Sequence, residues 1–365
     1  MKRILKVLRD GLIIIVGVLV ADFVMMQFIP LEWVDPVERA HVRDQLIYDL
    51  SVPYHHALKP NVGPMQRPFG NLVYPFQTDR YGFRTGECAG NDPVAQANSS
   101  VFVLGDSFAE GLGVPFEQTF AGLMACEWKK HGLTVWDLGV LSYSPSIYYY
   151  RILDSVKKLS LTPKTIFVFL DISDISDEAL NYEDKDGRIV AARGYSDPFD
   201  SRVGGLSARS ISDYIRRHFM TAALAWTARE WIRNQGGARV DAQRSLWTTN
   251  PEHMNSYGKR GLEKAAQYLD RIAGLCENWR CDLYLTVYPW PYQIANDSKD
   301  SIQVTYWRDW AKRRGVRFID GFAPFFNEPK ADALAKYIPG DVHFNAAGHK
   351  LLFDTVSREV WGAKP

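Results

Sequence analysis

Short apolar runs alternate with longer amphipathic stretches along the chain from residue 99 onward. The runs are rich in β-branched and aromatic residues, which is typical of buried strands; they occupy 100–104, 133–136, 165–170, 283–288 and 316–320. The stretch 146–160 lies between two of them and carries apolar residues on one helical face. Strands separated by helices predict an α/β domain, in which helices cover both faces of a parallel sheet. Catalytic loops in such a sheet lie at the carboxyl ends of the strands.

The N-terminal region follows a different pattern. Several basic residues open the chain, and a nearly uninterrupted apolar run over 11–29 comes next. Its length is close to the roughly 20 residues that span a bilayer, although Asp22 interrupts it. We therefore predict a single-pass anchor in the inner (cytoplasmic) membrane, with residues 1–10 as a cytoplasmic tail and the remainder exported. A cleaved signal peptide is the alternative, but Leu19 and Ala21 make a poor cleavage site.

Between these two regions, residues 31–98 are rich in aromatic and turn-forming residues, which predicts a neck and a small lead-in module. The main domain is expected over 99–365, with a helical insertion over 180–260 that is too long for an ordinary crossover. A chain of 365 residues has room for one large domain with such extensions. The net charge of +1 gives no reason to expect a nucleic-acid partner.

Gly105, Asp106 and Ser107 directly follow the apolar run over 100–104. Gly105 permits a tight turn, and Ser107 stands where a helix can begin. A serine at a strand-to-helix turn is exposed beside unpaired N–H groups, which stabilise negative charge. A nucleophilic hydroxyl needs this setting. Capping of the next helix by Ser107 is the alternative.

A second constellation lies near the C-terminus, where Asp341 and His343 are two residues apart. A nucleophilic serine needs a base, and the base needs a carboxylate that orients its ring. In an extended segment residues two apart face the same side, so this spacing predicts that the two side chains meet. The alternative is that Asn345 caps the final helix and the Asp-x-His pair precedes it by chance.

The Gly-Asp-Ser block and the Asp-x-His pair together resemble the SGNH (GDSL-type) hydrolase superfamily over roughly residues 99–365. The segment 81–84 is similar to segments that precede the serine block in membrane-anchored bacterial members. The resemblance implies a three-layer, flavodoxin-like fold in which Ser107 is the nucleophile, His343 is the base and Asp341 orients the base. No cofactor and no metal are expected, because the sequence has no Walker loop, dinucleotide fingerprint or His-Glu-x-x-His motif.

The chain departs from the family pattern at three places. The family has its Asp three residues before the His, where this chain has Gly340. Ser142 stands where the family has a glycine whose N–H binds the oxyanion, with Gly139 as the alternative alignment, and Ser173 replaces an asparagine. We therefore expect the N–H groups of Ser107 and Ser142 to bind the oxyanion, with the Ser173 hydroxyl assisting.

These residues predict an exported serine esterase that acts on an O-acyl ester of an envelope carbohydrate or lipid. An O-acyltransferase that uses the same acyl-enzyme is one alternative, and a non-catalytic SGNH-like binding protein is another. The expected partners are an acylated saccharide or lipid substrate and the membrane, which the N-terminal helix would contact.

The four cysteines fit an oxidising environment outside the cytoplasm. Cys276 and Cys281 bracket a predicted helix-to-strand connection and are the expected local disulfide, with Cys88 and Cys126 as the second pair. The spacing matches no zinc pattern. Four unpaired, buried thiols are the alternative.

Overall fold

The computed structural model describes residues 2–29, 46–70, 72–87, 97–193, 214–216, 218–235 and 242–362. The chain divides into two compact units, the first made of 1–47 with 196–239 and the second of 48–195 with 240–365. The insertion expected over 180–260 is therefore divided between the units. The five predicted strands and all the predicted catalytic and oxyanion residues belong to the second unit.

The structure has eleven strands among the described residues. In chain order they are β1 Tyr48–Asp49, β2 Ala57–Leu58, β3 Met65–Phe69, β4 Leu72–Phe76, β5 Ser100–Leu104, β6 Thr134–Asp137, β7 Thr165–Leu170, β8 Tyr182–Lys185, β9 Arg188–Ala191, β10 Asp282–Val287 and β11 Arg317–Asp320.

The α-helices of the described residues are numbered in the same way. They are α1 Lys2–Met26, α2 Ser107–Glu110, α3 Phe120–Trp128, α4 Pro145–Leu159, α5 Ser173–Leu180, α6 Met220–Gln235, α7 Pro251–His253, α8 Lys259–Trp279, α9 Pro291–Asn296, α10 Ile302–Arg314, α11 Ala323–Phe326, α12 Lys330–Leu334 and α13 Ala346–Trp361.

A five-stranded parallel sheet forms the centre of the second unit. Its order is β6–β5–β7–β10–β11, so the strands follow the 2-1-3-4-5 order of flavodoxin-like folds. Helix α3 packs on α13, whereas α4 and α5 pack on α8. This confirms the α/β prediction, and the strand order reverses between β5 and β7, where such folds bind their ligands.

The predicted elements of the sheet domain agree closely with the observed ones. Residues 100–104 are buried throughout, as the continuous apolar run predicts. Helix α4 begins with Pro145 at its first turn, where the missing N–H costs nothing, and ends at Ser160 in a left-handed conformation.

The described lead-in residues pack on the sheet as part of the same unit. A single bridge joins Arg84 to Asp137 at the end of β6. The buried Arg84 guanidinium donates hydrogen bonds to the carbonyl oxygens of Glu110, Gly111 and Val114, which follow the serine block. Residues 48–87 are therefore attached directly to the region around Ser107.

In the first unit, helix α1 packs on helix α6. Asp22 is buried and accepts hydrogen bonds from the Thr221 N–H (3.1 Å) and the Thr221 hydroxyl (2.5 Å) at the start of α6. The carboxylate expected to interrupt an apolar span therefore has a hydrogen-bonding role in this unit. Within the described part of the chain, no helix combines the length and the apolar character needed to cross a membrane. The predicted transmembrane anchor over 11–29 is not supported.

Cys276 and Cys281 form a disulfide between the end of α8 and the start of β10. Arg280, between them, adopts a left-handed conformation that ends the helix. Cys126 is also disulfide-bonded. Cys88, its expected partner, lies outside the described residues.

Candidate active site

Ser107 lies in the turn that connects β5 to the short helix α2. Gly105 makes this turn possible, because a Cβ atom there would come within 2.7 Å of the Ala109 Cβ and 3.1 Å of the Phe169 oxygen. Asp106 caps the helix by accepting a hydrogen bond from the Phe108 N–H (3.0 Å). Asp106 is therefore the cap, and Ser107 occupies the first helical position, where its hydroxyl lies 3.2 Å from the Asp106 Oδ2.

His343 lies beside this serine. Its Nε2 is 2.7 Å from the Ser107 Oγ, and its Nδ1 is 2.5 Å from the Asp341 Oδ1. The structure thus joins the three residues in one continuous chain of hydrogen bonds, although Ser107 and His343 are 236 positions apart.

The segment that carries Asp341 and His343 is a tight bend, so the expected extended conformation is wrong. Gly340 has a φ of 78°, and the Asp341 N–H donates to the Ile338 oxygen (2.9 Å). The His343 N–H donates to the Asp341 Oδ1 (2.9 Å), so the carboxylate folds back onto both the backbone and the ring of His343. The bend explains how an aspartate two residues before the histidine reaches its ring. Asn345 also caps α13, as the alternative interpretation expected.

The charge of Asp341 is well suited to this position. Partial burial raises the pKa of its carboxyl, but the hydrogen bonds and charge of His343 outweigh burial and hold the pKa below its usual value. An ionised Asp341 keeps a proton on the His343 Nδ1 and leaves the Nε2 lone pair toward Ser107. That arrangement allows the imidazole to accept a proton from the serine hydroxyl.

Two aromatic rings flank the imidazole of His343. Phe69, from the β3–β4 hairpin of the lead-in residues, meets it edge to face at 5.3 Å, and Phe108 lies 4.9 Å away. The lead-in residues thus contribute directly to the walls of the site, which the sequence did not indicate.

Ser142 has the backbone conformation expected of an oxyanion-loop glycine. Its φ is 61°, in the left-handed region that favours glycine, which the family has at this position. Among the described residues, neither the Ser142 N–H nor the Ser107 N–H has a hydrogen-bond partner. The Gly139 N–H donates to the Asp137 Oδ1 (3.0 Å), so the alternative alignment is wrong for this donor.

Ser173 is not placed to serve as a third oxyanion donor. Both its N–H (2.7 Å) and its hydroxyl (2.5 Å) donate to the Asp171 Oδ1. A hydroxyl has a single hydrogen to donate, so the assisting role predicted for Ser173 is not supported.

A cluster of three buried carboxyls, which sequence reasoning missed, lies behind the serine turn. Asp106, Asp171 and Asp174 bring one oxygen each within 4.8 Å of the others. Burial raises the pKa of all three, and repulsion between the carboxylates raises the pKa of Asp106 and Asp174 further. Protein donors hold them, including the Trp290 Nε1–H on Asp171 (2.6 Å) and the Tyr148 hydroxyl on Asp174 (2.7 Å). Among the described residues this is the group with the spacing to hold a cation.

Solved structures with a similar fold include three bacterial proteins. A GDSL-like lipase from Bacteroides thetaiotaomicron is 12% identical, with 73% of this chain and 90% of that chain covered and a TM-score of 0.38. A catalytic mutant of an acetylxylan esterase from Geobacillus stearothermophilus is 11% identical, with coverages of 73% and 96% and a TM-score of 0.40. A member of the lipolytic G-D-S-L family from Veillonella parvula is 12% identical, with coverages of 73% and 99% and a TM-score of 0.36.

No protein-family model matches the chain, and no curated protein matches it. The names lipase, acetylxylan esterase and lipolytic protein belong to those three structures. Similarity this distant says nothing about the activity.

Proposed function

We propose that this protein is a serine esterase of the SGNH type. The observation that supports the proposal most strongly is the unbroken hydrogen-bonded chain from Ser107 Oγ through His343 to Asp341 Oδ1. A serine, a histidine and an ionised carboxylate in this order are the components of an activated nucleophile.

In the proposed reaction, the Ser107 Oγ attacks the acyl carbonyl carbon while its proton moves to the His343 Nε2. The carbonyl oxygen becomes an oxyanion, and the unpaired N–H groups of Ser107 and Ser142 stabilise it. When the intermediate collapses, the bond to the leaving alcohol breaks and His343 returns its proton to the alcohol oxygen. Water then attacks the acyl-serine with the same help from His343, which releases the acid and restores the Ser107 hydroxyl.

The substrate class follows from the family resemblance: an O-acyl ester of an envelope carbohydrate or a lipid. Transfer of the acyl group to a sugar hydroxyl instead of water would use the same acyl-enzyme. A non-catalytic binding role is favoured by one observation, the commitment of the Ser173 hydroxyl to Asp171, because it removes one expected oxyanion donor.

A fluorophosphonate probe distinguishes the esterase from the binding protein. It reacts with an activated serine without requiring the natural substrate, and intact mass counts the adducts. We expect one adduct on the wild-type protein and none on Ser107→Ala. The matched control is Ser160→Ala, which changes a serine remote in sequence at the end of α4 and should label normally. A folded wild-type protein that stays unlabelled would overturn the esterase proposal and favour the binding role.

We further propose that the catalytic unit works outside the cytoplasm. The disulfide between Cys276 and Cys281 supports this location, since disulfides persist mainly in oxidising compartments. Alkaline phosphatase fused to the C-terminus should be active in a bacterial host, because that reporter needs an oxidising compartment. Export would be refuted if a C-terminal fusion to green fluorescent protein were fluorescent while the phosphatase fusion was inactive.

A further inference from the structure

The loop that carries Ser142 is held at three consecutive peptide units by buried side chains. The Leu141 N–H donates to the Glu110 Oε2 (2.6 Å). The Leu141 oxygen is 2.6 Å from the His56 Nε2, and the Ser142 oxygen accepts from the Tyr182 hydroxyl (2.8 Å). None of these three side chains belongs to the Ser107–His343–Asp341 chain.

The contact with His56 has a specific geometric consequence. The Leu141 carbonyl and the Ser142 N–H belong to the same peptide unit, which is planar and points its C=O and N–H in opposite directions. A partner that fixes the Leu141 oxygen therefore fixes the direction of the Ser142 N–H. Because a carbonyl only accepts, the His56 Nε2 carries a proton and donates it.

His56 is itself firmly held. It is buried, its Nδ1 is 2.8 Å from the His55 Nδ1, and its backbone oxygen accepts from the Tyr143 hydroxyl (2.7 Å). The Tyr143 ring packs against the imidazole at 5.0 Å. The histidine therefore has little freedom to release the Leu141 carbonyl.

Glu110 holds the 140–141 peptide, which directly precedes the peptide that His56 holds. Its carboxylate is fully buried and forms an ion pair with Arg67, and its two oxygens lie 3.1 and 3.2 Å from the Tyr48 hydroxyl, which donates one shared hydrogen bond to them. Glu110 also lies in α2, the helix that begins with Ser107. It thus joins the nucleophile helix, the lead-in residues and the Ser142 loop.

We infer that His56 is a positioning residue for the oxyanion hole: it holds the 141–142 peptide so that the Ser142 N–H points at the reacting oxygen. Glu110 supports it by holding the 140–141 peptide. This inference rests on the proposed esterase function and adds that the lead-in residues are part of the catalytic machinery. Left-handed serine is an uncommon conformation, and these buried partners explain why the loop keeps it.

The test compares His56→Phe, which keeps a ring but loses the donor, with His56→Gln, which keeps a donor. In His56→Phe we expect the labelling rate with the fluorophosphonate and the kcat on a simple aryl ester to fall by about 10²-fold, the effect of losing one oxyanion donor. KM should change much less, and His56→Gln should recover a large part of kcat. His131→Phe is the matched control, because it makes the same change at an exposed histidine that stacks on Trp361 instead of contacting the loop.

A second measurement does not depend on activity. Hydrogen–deuterium exchange of the peptide covering 138–144 should rise in His56→Phe and stay near the wild-type level in His56→Gln and His131→Phe. If exchange rises in His56→Phe but the fluorophosphonate does not label the wild-type protein, the positioning contact is supported and the esterase proposal is refuted. The role of His56 would be overturned if exchange in His56→Phe stayed at the wild-type level. It would also be overturned if folded His56→Phe were labelled at the wild-type rate.

Discussion

At the scale of single residues, the Ser107–His343–Asp341 chain is held by backbone contacts as well as by side chains. Asp106 caps the helix that begins at Ser107, and the His343 N–H shares the Asp341 oxygen that binds its ring. These contacts all lie within the protein, so the groups need little reorganisation when charge develops. Preorganisation of this kind is the main source of electrostatic catalysis.

Asp341→Asn tests the charge at this position. A neutral amide does not stabilise the positive charge of the imidazolium. Its NH₂ group can also donate to the His343 Nδ1, which favours the tautomer with the proton on Nε2. We expect kcat for ester hydrolysis to fall by roughly 10²–10⁴-fold with the fold intact. Asp354→Asn makes the same change at an exposed residue of α13 that pairs with Lys350, and it should keep full activity. Equal kcat values for the two variants would remove Asp341 from the proposed mechanism.

Ser142→Gly separates the role of the backbone N–H from that of the side chain. Left-handed backbone costs an L-residue about 1–2 kcal/mol, part of which glycine recovers despite its greater freedom in the unfolded chain. We expect activity at or above the wild-type level and an unfolding free energy raised by up to about 1 kcal/mol in urea titration. Ser160→Gly, at another left-handed position outside the oxyanion loop, should show the stability gain alone. Loss of activity in Ser142→Gly would show that the hydroxyl matters.

At the scale of elements, helix α13 does more than close the sheet domain. It starts just after His343 and carries the buried His349, whose Nδ1 accepts a hydrogen bond from the Phe120 N–H (3.2 Å) at the start of α3. Burial lowers the pKa of His349 to about 3, so the ring is neutral in the folded protein at ordinary pH. The contact between these two helices therefore depends on a neutral imidazole.

His349→Gln should make the protein less sensitive to acid. In the unfolded chain a histidine has a pKa of about 6.5, so between roughly pH 6.5 and 3 the unfolded state binds a proton that the folded state excludes. The contribution of His349 to the free energy of unfolding is fully present above pH 6.5. It falls by up to about 1.4 kcal/mol for each pH unit below that value. Urea titrations at several pH values should show a smaller slope for the variant.

The comparison between the wild type and His349→Gln isolates this effect from opposing groups. The pKa of Asp177, which burial raises to about 6, acts in the opposite direction, since a raised carboxyl pKa stabilises the fold at low pH. Identical slopes for the two proteins would exclude His349 as a source of acid sensitivity.

His343→Ala should abolish activity, whereas His349→Gln should retain it at neutral pH.

At the scale of the whole molecule, the sequence predicted those elements of the fold that depend on the pattern of neighbouring residues. Continuous apolar runs predicted the buried parallel strands, and the Gly-Asp-Ser block predicted the strand-to-helix turn at Ser107. The partners of Leu141 and Ser142 were not predictable, because they are side chains distant in sequence: Tyr182, His56 and Glu110 reach this loop from separate elements. Nothing in the local sequence marks such contacts.

Buried arginines attach the lead-in residues to the sheet domain. Arg67 pairs with Glu110, Arg84 donates to carbonyl oxygens after the serine block, and Arg151 donates to the Gly82 oxygen (3.0 Å) and the Tyr54 hydroxyl (3.0 Å). A buried charge without its partner is strongly unfavourable. Removal of one partner should therefore affect the lead-in residues and the domain together.

Arg67→Met tests this attachment. It leaves the fully buried Glu110 carboxylate without its cation, so we expect the unfolding free energy to fall by about 3–5 kcal/mol. Arg67→Met combined with Glu110→Gln removes both charges and should be less destabilised than the sum of the single variants. Lys350→Met breaks the exposed pair with Asp354 and should cost no more than about 1 kcal/mol. Additive effects of Arg67→Met and Glu110→Gln in urea titration would show that the two charges do not depend on each other, and the ion pair would then not be what attaches the lead-in residues.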